Sequence, residues 1–88
     1  MPSQVRTADD LKPGEIYEDC SYHPCLCISV CEDEVEGISL VDGSYPRSCS
    51  IGHCGVRRLT LEEAKRWKEF GPEGIEIEPK DRWWEATI

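Results

Sequence analysis

The sequence predicts a β-rich α+β domain. The expected form is a small bent antiparallel sheet, or an SH3-like partly open barrel, with one amphipathic helix and a C-terminal hairpin. Three observations carry this. Short alternating apolar runs recur with turn residues between them. One segment, residues 61–70, has helical periodicity with both ends marked. The chain has 88 residues, and a domain of this size removes only about 60% of its unfolded surface from water, enough for one modest core.

Residues 1–10 are polar and aperiodic, the composition of a flexible N-terminus, which leaves 11–88 as a single small domain. Leu11-Lys12-Pro13-Gly14 has the residues of a type II turn. Glu15 to Glu18 follows as a short strand. Cys25 to Cys31 alternates, with Leu26, Ile28 and Val30 on one face and Cys25, Cys27, Ser29 and Cys31 on the other. The acidic run Glu32-Asp33-Glu34 with Glu36 reads as its connector. Gly37 to Val41 is the next strand, closed by the tight-turn pair Asp42-Gly43. Tyr45 to Ile51 admits a further short strand, which Pro46 confines to a sheet edge. Gly52 to Gly55 reads as a loop, and Val56 to Leu59 as the last strand before the helix.

The helix has the clearest signal. Thr60 is placed to cap it and Glu63 follows three residues later, forming a capping box. Glu62 and Glu63 suit the positive end of the helix dipole. Leu61, Ala64, Trp67 and Phe70 form an apolar stripe, and Gly71-Pro72 ends the helix. Beyond it, residues 74–78 and 82–88 alternate around Pro79-Lys80-Asp81, which predicts the C-terminal hairpin.

The net charge is −8, and it is unevenly placed. Residues 1–44 hold ten acids against two bases, whereas residues 45–88 balance at eight of each. Such acidity argues against non-specific nucleic-acid binding, which needs clustered Lys and Arg. No run of about 18 apolar residues is present to span a membrane. The first residues, MPSQVRTADD, lack the features of a secretory signal, so a cytoplasmic location is expected. Thiols there are kept reduced, which favours metal ligands or buried free thiols over three disulfides.

Six cysteines and both histidines fall largely into two clusters. The first is Cys20, His23, Cys25 and Cys27, followed by Cys31; the second is Cys49, His53 and Cys54. Zinc takes thiolate and imidazole together, and ligand pairs separated by two to four residues usually supply them. Cys20, His23, Cys25, Cys49, His53 and Cys54 are therefore the candidate zinc ligands. The plainer reading is that these thiols fill a small core as compact hydrophobes. A nucleophilic cysteine needs a base within reach and a group to orient that base, and no such set is legible.

For partners, Glu32, Asp33, Glu34 and Glu36 form either a solvated loop or a patch for a basic protein. The basic residues Arg47, Arg57 and Arg58 are expected to pair with the acidic first half. Trp83, one of two adjacent tryptophans, and the Tyr45-Pro46-Arg47 loop are further candidate contacts. The resulting expectation is a small acidic accessory or protein-interaction domain, non-catalytic and stabilised by one zinc. The alternative is a metal-free binding or inhibitor protein with buried thiols, and a small thiol enzyme ranks third. Nothing in the residues sets an oligomeric state.

Overall fold

The computed structural model describes residues 3–54 and 56–85, without the side chains of Ser3, Ala8 and Cys54. It is a small antiparallel open sheet carrying one main helix. Six strands contribute: β1 (Ser3–Gln4), β2 (Ile16–Glu18), β3 (Pro24–Cys31), β4 (Glu34–Ser39), β5 (Cys49–Ser50) and β6 (Arg57–Leu59). Their spatial order is β1-β6-β2-β3-β4-β5, with every neighbouring pair antiparallel. A four-residue helix, α1 (Ile51–Cys54), takes the place of most of the expected loop, and the main helix is α2 (Leu61–Phe70). No helix among the described residues is long and apolar enough to cross a membrane.

The register explains the two layers packed on the sheet. Ile16 lies opposite both Leu26 and Leu59, and Leu26 lies opposite Ile38, so these four form one cross-strand row. Leu59 and Ile16 of that row pack with Ala64 and Trp67 of α2. The next row, Tyr17, Cys25 and Ser39, faces the other way. Tyr17, Cys25 and Cys27 gather there with Val35, Cys49, Val5, Leu11, Ile51 and Val56. Burying side chains of this size contributes about 1.5–3 kcal/mol each.

The thiol face of β3 is split by a bulge between Cys27 and Ser29. Cys25 and Cys27 point inward ahead of it; past it Val30 packs against the core and Cys31 is exposed. The aliphatic face predicted for Leu26, Ile28 and Val30 is broken by the same step, which leaves Ile28 47% exposed. One extra residue shifts a period-two pattern onto the opposite face.

Helix α2 has the expected boundaries and cap. The Thr60 side chain accepts from the Glu63 N–H, and the Glu63 carboxylate accepts from the Thr60 N–H. Gly71 has φ 86°, and its N–H reaches the Trp67 carbonyl. Only Ala64 and Trp67 of the stripe are buried; Leu61 and Phe70 are 76% and 70% exposed. Three-residue steps fall about 60° short of a full turn, so the two ends of the stripe lie about half a turn apart.

Two terminal regions differ from expectation. Residues 3–10 contain β1, a capped 3₁₀ turn at Ala8–Asp10 and the buried Val5. A lone valine carries no periodicity, so this ordering had no sequence signal. The predicted C-terminal hairpin is absent among the described residues: Pro79–Asp81 and Trp83–Glu85 are 3₁₀ turns, and 86–88 lie outside them. Tertiary contacts override the alternation. The Arg82 Nε donates to the Ile77 carbonyl, and Trp83 donates to the Trp67 carbonyl. The Trp84 ring lies so close over Gly71 that a Cβ there would meet it at 2.5 Å.

Candidate functional site

The end of β2 and the turn that follows organise the cysteine region. Asp19 is buried, and its Oδ1 accepts the N–H groups of Ser21 and His23, both at 2.9 Å. Asp19 and His23 also close a backbone bond at 3.1 Å. This tight loop holds Cys20 exposed at its turn. The other Asp19 oxygen takes Arg47 Nε at 2.7 Å. Arg47 is fixed again by its backbone: its N–H reaches the Gly37 carbonyl, and its own carbonyl accepts the Tyr17 hydroxyl at 2.6 Å. The Tyr45-Pro46 bond that precedes this anchor is cis, and Tyr45 is exposed.

Arg47 leads the chain into β5, where Cys49 lies buried beside the exposed loop. The Cys49 Sγ sits 3.1 Å from the Cys20 Sγ and accepts the Cys20 N–H at 3.3 Å. Cys20 is disulfide-bonded, whereas Cys25, Cys27, Cys31 and Cys49 are free thiols. Burial pushes the Cys25, Cys27 and Cys49 thiols up from their ordinary values, because a thiolate loses hydration there. The Cys25 thiol donates to the His23 carbonyl. His23 places Nδ1 3.1 Å from Ser39 Oγ and meets the Trp83 ring edge-on at 4.6 Å. Burial pushes its pKa below the ordinary histidine value. A groove of about 540 Å³ opens on this side, lined by Cys20, Tyr22, His23, Arg47, Glu76 and Ile77.

The two predicted metal clusters thus touch at Cys20 and Cys49, with His23 on the adjoining turn and Cys25 at the start of β3. His53 is exposed on α1, and the Cys54 side chain lies outside the described residues. Among the described residues, no group of three or more His, Cys, Asp or Glu side chains is placed to hold a metal ion.

The acidic run separates into two roles. Glu32 and Asp33 form the two-residue turn between β3 and β4, with Glu32 at φ 55°. Asp33 is bonded to the next layer: its carboxylate accepts Ser50 Oγ at 2.8 Å and the Gly52 N–H, and its carbonyl accepts the Ile51 N–H. Glu34 and Glu36 lie in β4, opposite Cys31 and Ser29. Among the described residues, Glu32, Glu34 and Glu36 enter no ion pair. The arginines instead take Glu15 (Arg58), Glu18 (Arg57) and Asp19 (Arg47). Trp83 is half-buried, its Nε1 donating to the Trp67 carbonyl and its ring packed against Trp84 and His23.

Sequence reasoning missed Glu18 and Asp19. Buried Glu18 accepts both Arg57 Nε and Nη2 at 2.8 Å and Trp67 Nε1 at 2.6 Å. The available signal was the Asp-Cys-Ser order after a strand, the composition of an Asx turn. No family model matches the chain, and comparison with curated proteins and with solved structures finds no match.

Proposed function

We propose that this chain is a small, non-catalytic accessory domain that docks a basic protein partner on its β3–β4 hairpin. One observation carries the reading. Among the described residues, Glu32, Glu34 and Glu36 on that hairpin enter no ion pair, although arginines neutralise three acids elsewhere in the first half. The bulge places exposed Ile28 on the same hairpin, giving an apolar contact within an acidic field. Such a field steers a positively charged partner and fixes its register more than it adds raw affinity. The SH3-like description of the sheet belongs to this reading, supported by the short antiparallel strands flanking one hairpin.

Titration of ¹⁵N-labelled protein with an arginine- and lysine-rich peptide tests it. Shift changes should concentrate in residues 28–36, and binding should weaken steeply between low and physiological salt. The triple variant E32Q/E34Q/E36Q should bind at least about tenfold more weakly, with unchanged thermal unfolding. Salt-independent binding, or equal binding by the triple variant, overturns the reading. A structural zinc on the reduced chain is the second reading, favoured by the meeting of the two clusters at Cys20 and Cys49. Metal analysis of protein purified under reductant without chelator tests it, and fully folded metal-free protein ends it.

A further inference from the structure

We propose that the groove between the β2–β3 turn and the C-terminal segment binds a small zwitterion of the α-amino-acid type. Its volume of about 540 Å³ lies within the range of small-molecule sites. Its two walls come from distant parts of the chain and differ in chemistry. Tyr22 and His23 of the turn, with Arg47 beside them, supply hydrogen-bond donors. Glu76, Glu78 and Asp81 of the C-terminal segment supply carboxylates.

The donor wall is held in place by its other bonds. Arg47 gives Nε to Asp19 at 2.7 Å and Nη1 to Ser44 Oγ at 3.2 Å. Its Nη2 has no acceptor among the described residues. The tautomer of His23 follows from Ser39. That buried hydroxyl accepts the Val41 N–H at 3.1 Å, with the Asp42 N–H at 3.5 Å, so its own hydrogen is left for His23 Nδ1. The neutral ring then carries its proton on Nε2, which has no acceptor among the described residues. Tyr22 stands at φ 66°, a conformation bulky residues rarely adopt, and its N–H is tied to the Asp19 carbonyl at 3.0 Å.

The acidic wall is anchored separately, by Arg82 Nε on the Ile77 carbonyl and Trp83 Nε1 on the Trp67 carbonyl. Among the described residues, Glu76 and Asp81 enter no ion pair, and Glu78 meets only Lys80. The walls therefore face each other without closing: Arg47 pairs with Asp19 and with no carboxylate across the groove. A simple anion would be repelled by Glu76 and Asp81. A simple cation would leave the Arg47 and His23 N–H groups unmatched. A carboxylate and an ammonium on one carbon satisfy both walls through charge-assisted bonds. Half-buried Ile77 offers apolar contact to a side chain.

Isotope-labelled full-length protein at pH 7.5 is titrated with glycine and L-leucine and followed by NMR. Parallel titrations use L-leucinamide, which lacks the carboxylate, and N-acetyl-L-leucine, which lacks the ammonium. L-Leucine should shift Tyr22, His23, Arg47 and Ile77 saturably, with half-saturation below about 10 mM. Each half-analogue should bind at least about tenfold more weakly, having lost one charge-assisted contact. The ring nitrogens of His23 should report a proton on Nε2. The variant E76Q/D81N should weaken L-leucine but not N-acetyl-L-leucine, with unchanged thermal unfolding. Four results overturn the proposal: no saturable shift with glycine or L-leucine up to about 50 mM; a half-analogue that binds as well as L-leucine; shifts confined to residues 28–36; or a neutral His23 protonated on Nδ1. The wild-type titrations decide the matter without the variant.

Discussion

Replacing Glu18 by alanine removes the carboxylate that joins β2, β6 and α2. Trp67 Nε1 would lose its acceptor inside the core, and a buried donor without a partner costs about 1–3 kcal/mol. Arg57 would lose both of its bonds to that carboxylate. Breaking a fully buried pair costs about 3–5 kcal/mol. The Arg57 side chain is 28% exposed and can recruit water, so about 1–3 kcal/mol is the reasonable share here. Together these give about 2–6 kcal/mol, set against about 4–13 kcal/mol for a domain of 88 residues. Urea unfolding followed by tryptophan fluorescence measures it. With a slope of about 1 kcal/mol per molar urea, the midpoint should fall by about 2 M or more. Glu18→Gln keeps an acceptor for Trp67 and should cost only about 1–2 kcal/mol, which covers the case in which the alanine variant does not fold. Glu18→Gln and Trp67→Phe should also be non-additive by at least about 0.5 kcal/mol. An alanine variant within about 1 kcal/mol of wild type, or full additivity in the cycle, would refute the reasoning.

Other outcomes follow from single contacts. Gly37→Ala would drive a Cβ into the Leu26 carbonyl and to 2.7 Å from the Tyr17 ring, so a loss of about 1–3 kcal/mol is expected in chemical unfolding. Thr60→Ala removes the capping acceptor of α2 and should cost about 1 kcal/mol, read as a fall of about 4–8 °C in Tm. Burial holds His23 below its ordinary pKa of about 6.5, so the unfolded chain binds its proton first as pH falls. That contribution is complete above about pH 6.5 and is lost as pH falls through the folded value; His23→Gln should flatten Tm between pH 7 and 5. Asp42, held down to about 2 by Ser44, acts in a lower window, where its contribution is complete above about pH 4 and declines as pH falls toward 2.

How far each feature was legible depends on how local its cause is. Helix α2 was readable because Thr60, Glu63 and Gly71 act within one turn of its ends. Strand β3 was readable as a strand, but its faces were not, because a bulge leaves no mark on an alternating pattern. The C-terminal alternation was misleading, since Trp83 and Trp84 answer to the Trp67 carbonyl and Gly71 rather than to a neighbouring strand. In the candidate site, spacing alone placed Cys20 and Cys49 in clusters able to meet. It carried no sign of which sulfurs stay free, because that depends on β5 passing beneath the Asp19 loop.

The bulge in β3 makes the chemical fate of the thiols a matter of counting. Cys25 and Cys27 are sheltered and Cys31 meets solvent because one additional residue intervenes between them. A strand that ran on without the bulge would turn Cys31 inward and Val30 outward, whereas deleting Ile28 would remove the bulge and leave Val30 and Cys31 opposite Val35 and Glu34, facing as they do now. The one extra residue of the bulge therefore decides which sulfurs an oxidant can reach, and keeps an aliphatic contact rather than a thiol against the core. Along this strand, spacing governs reactivity more than composition does.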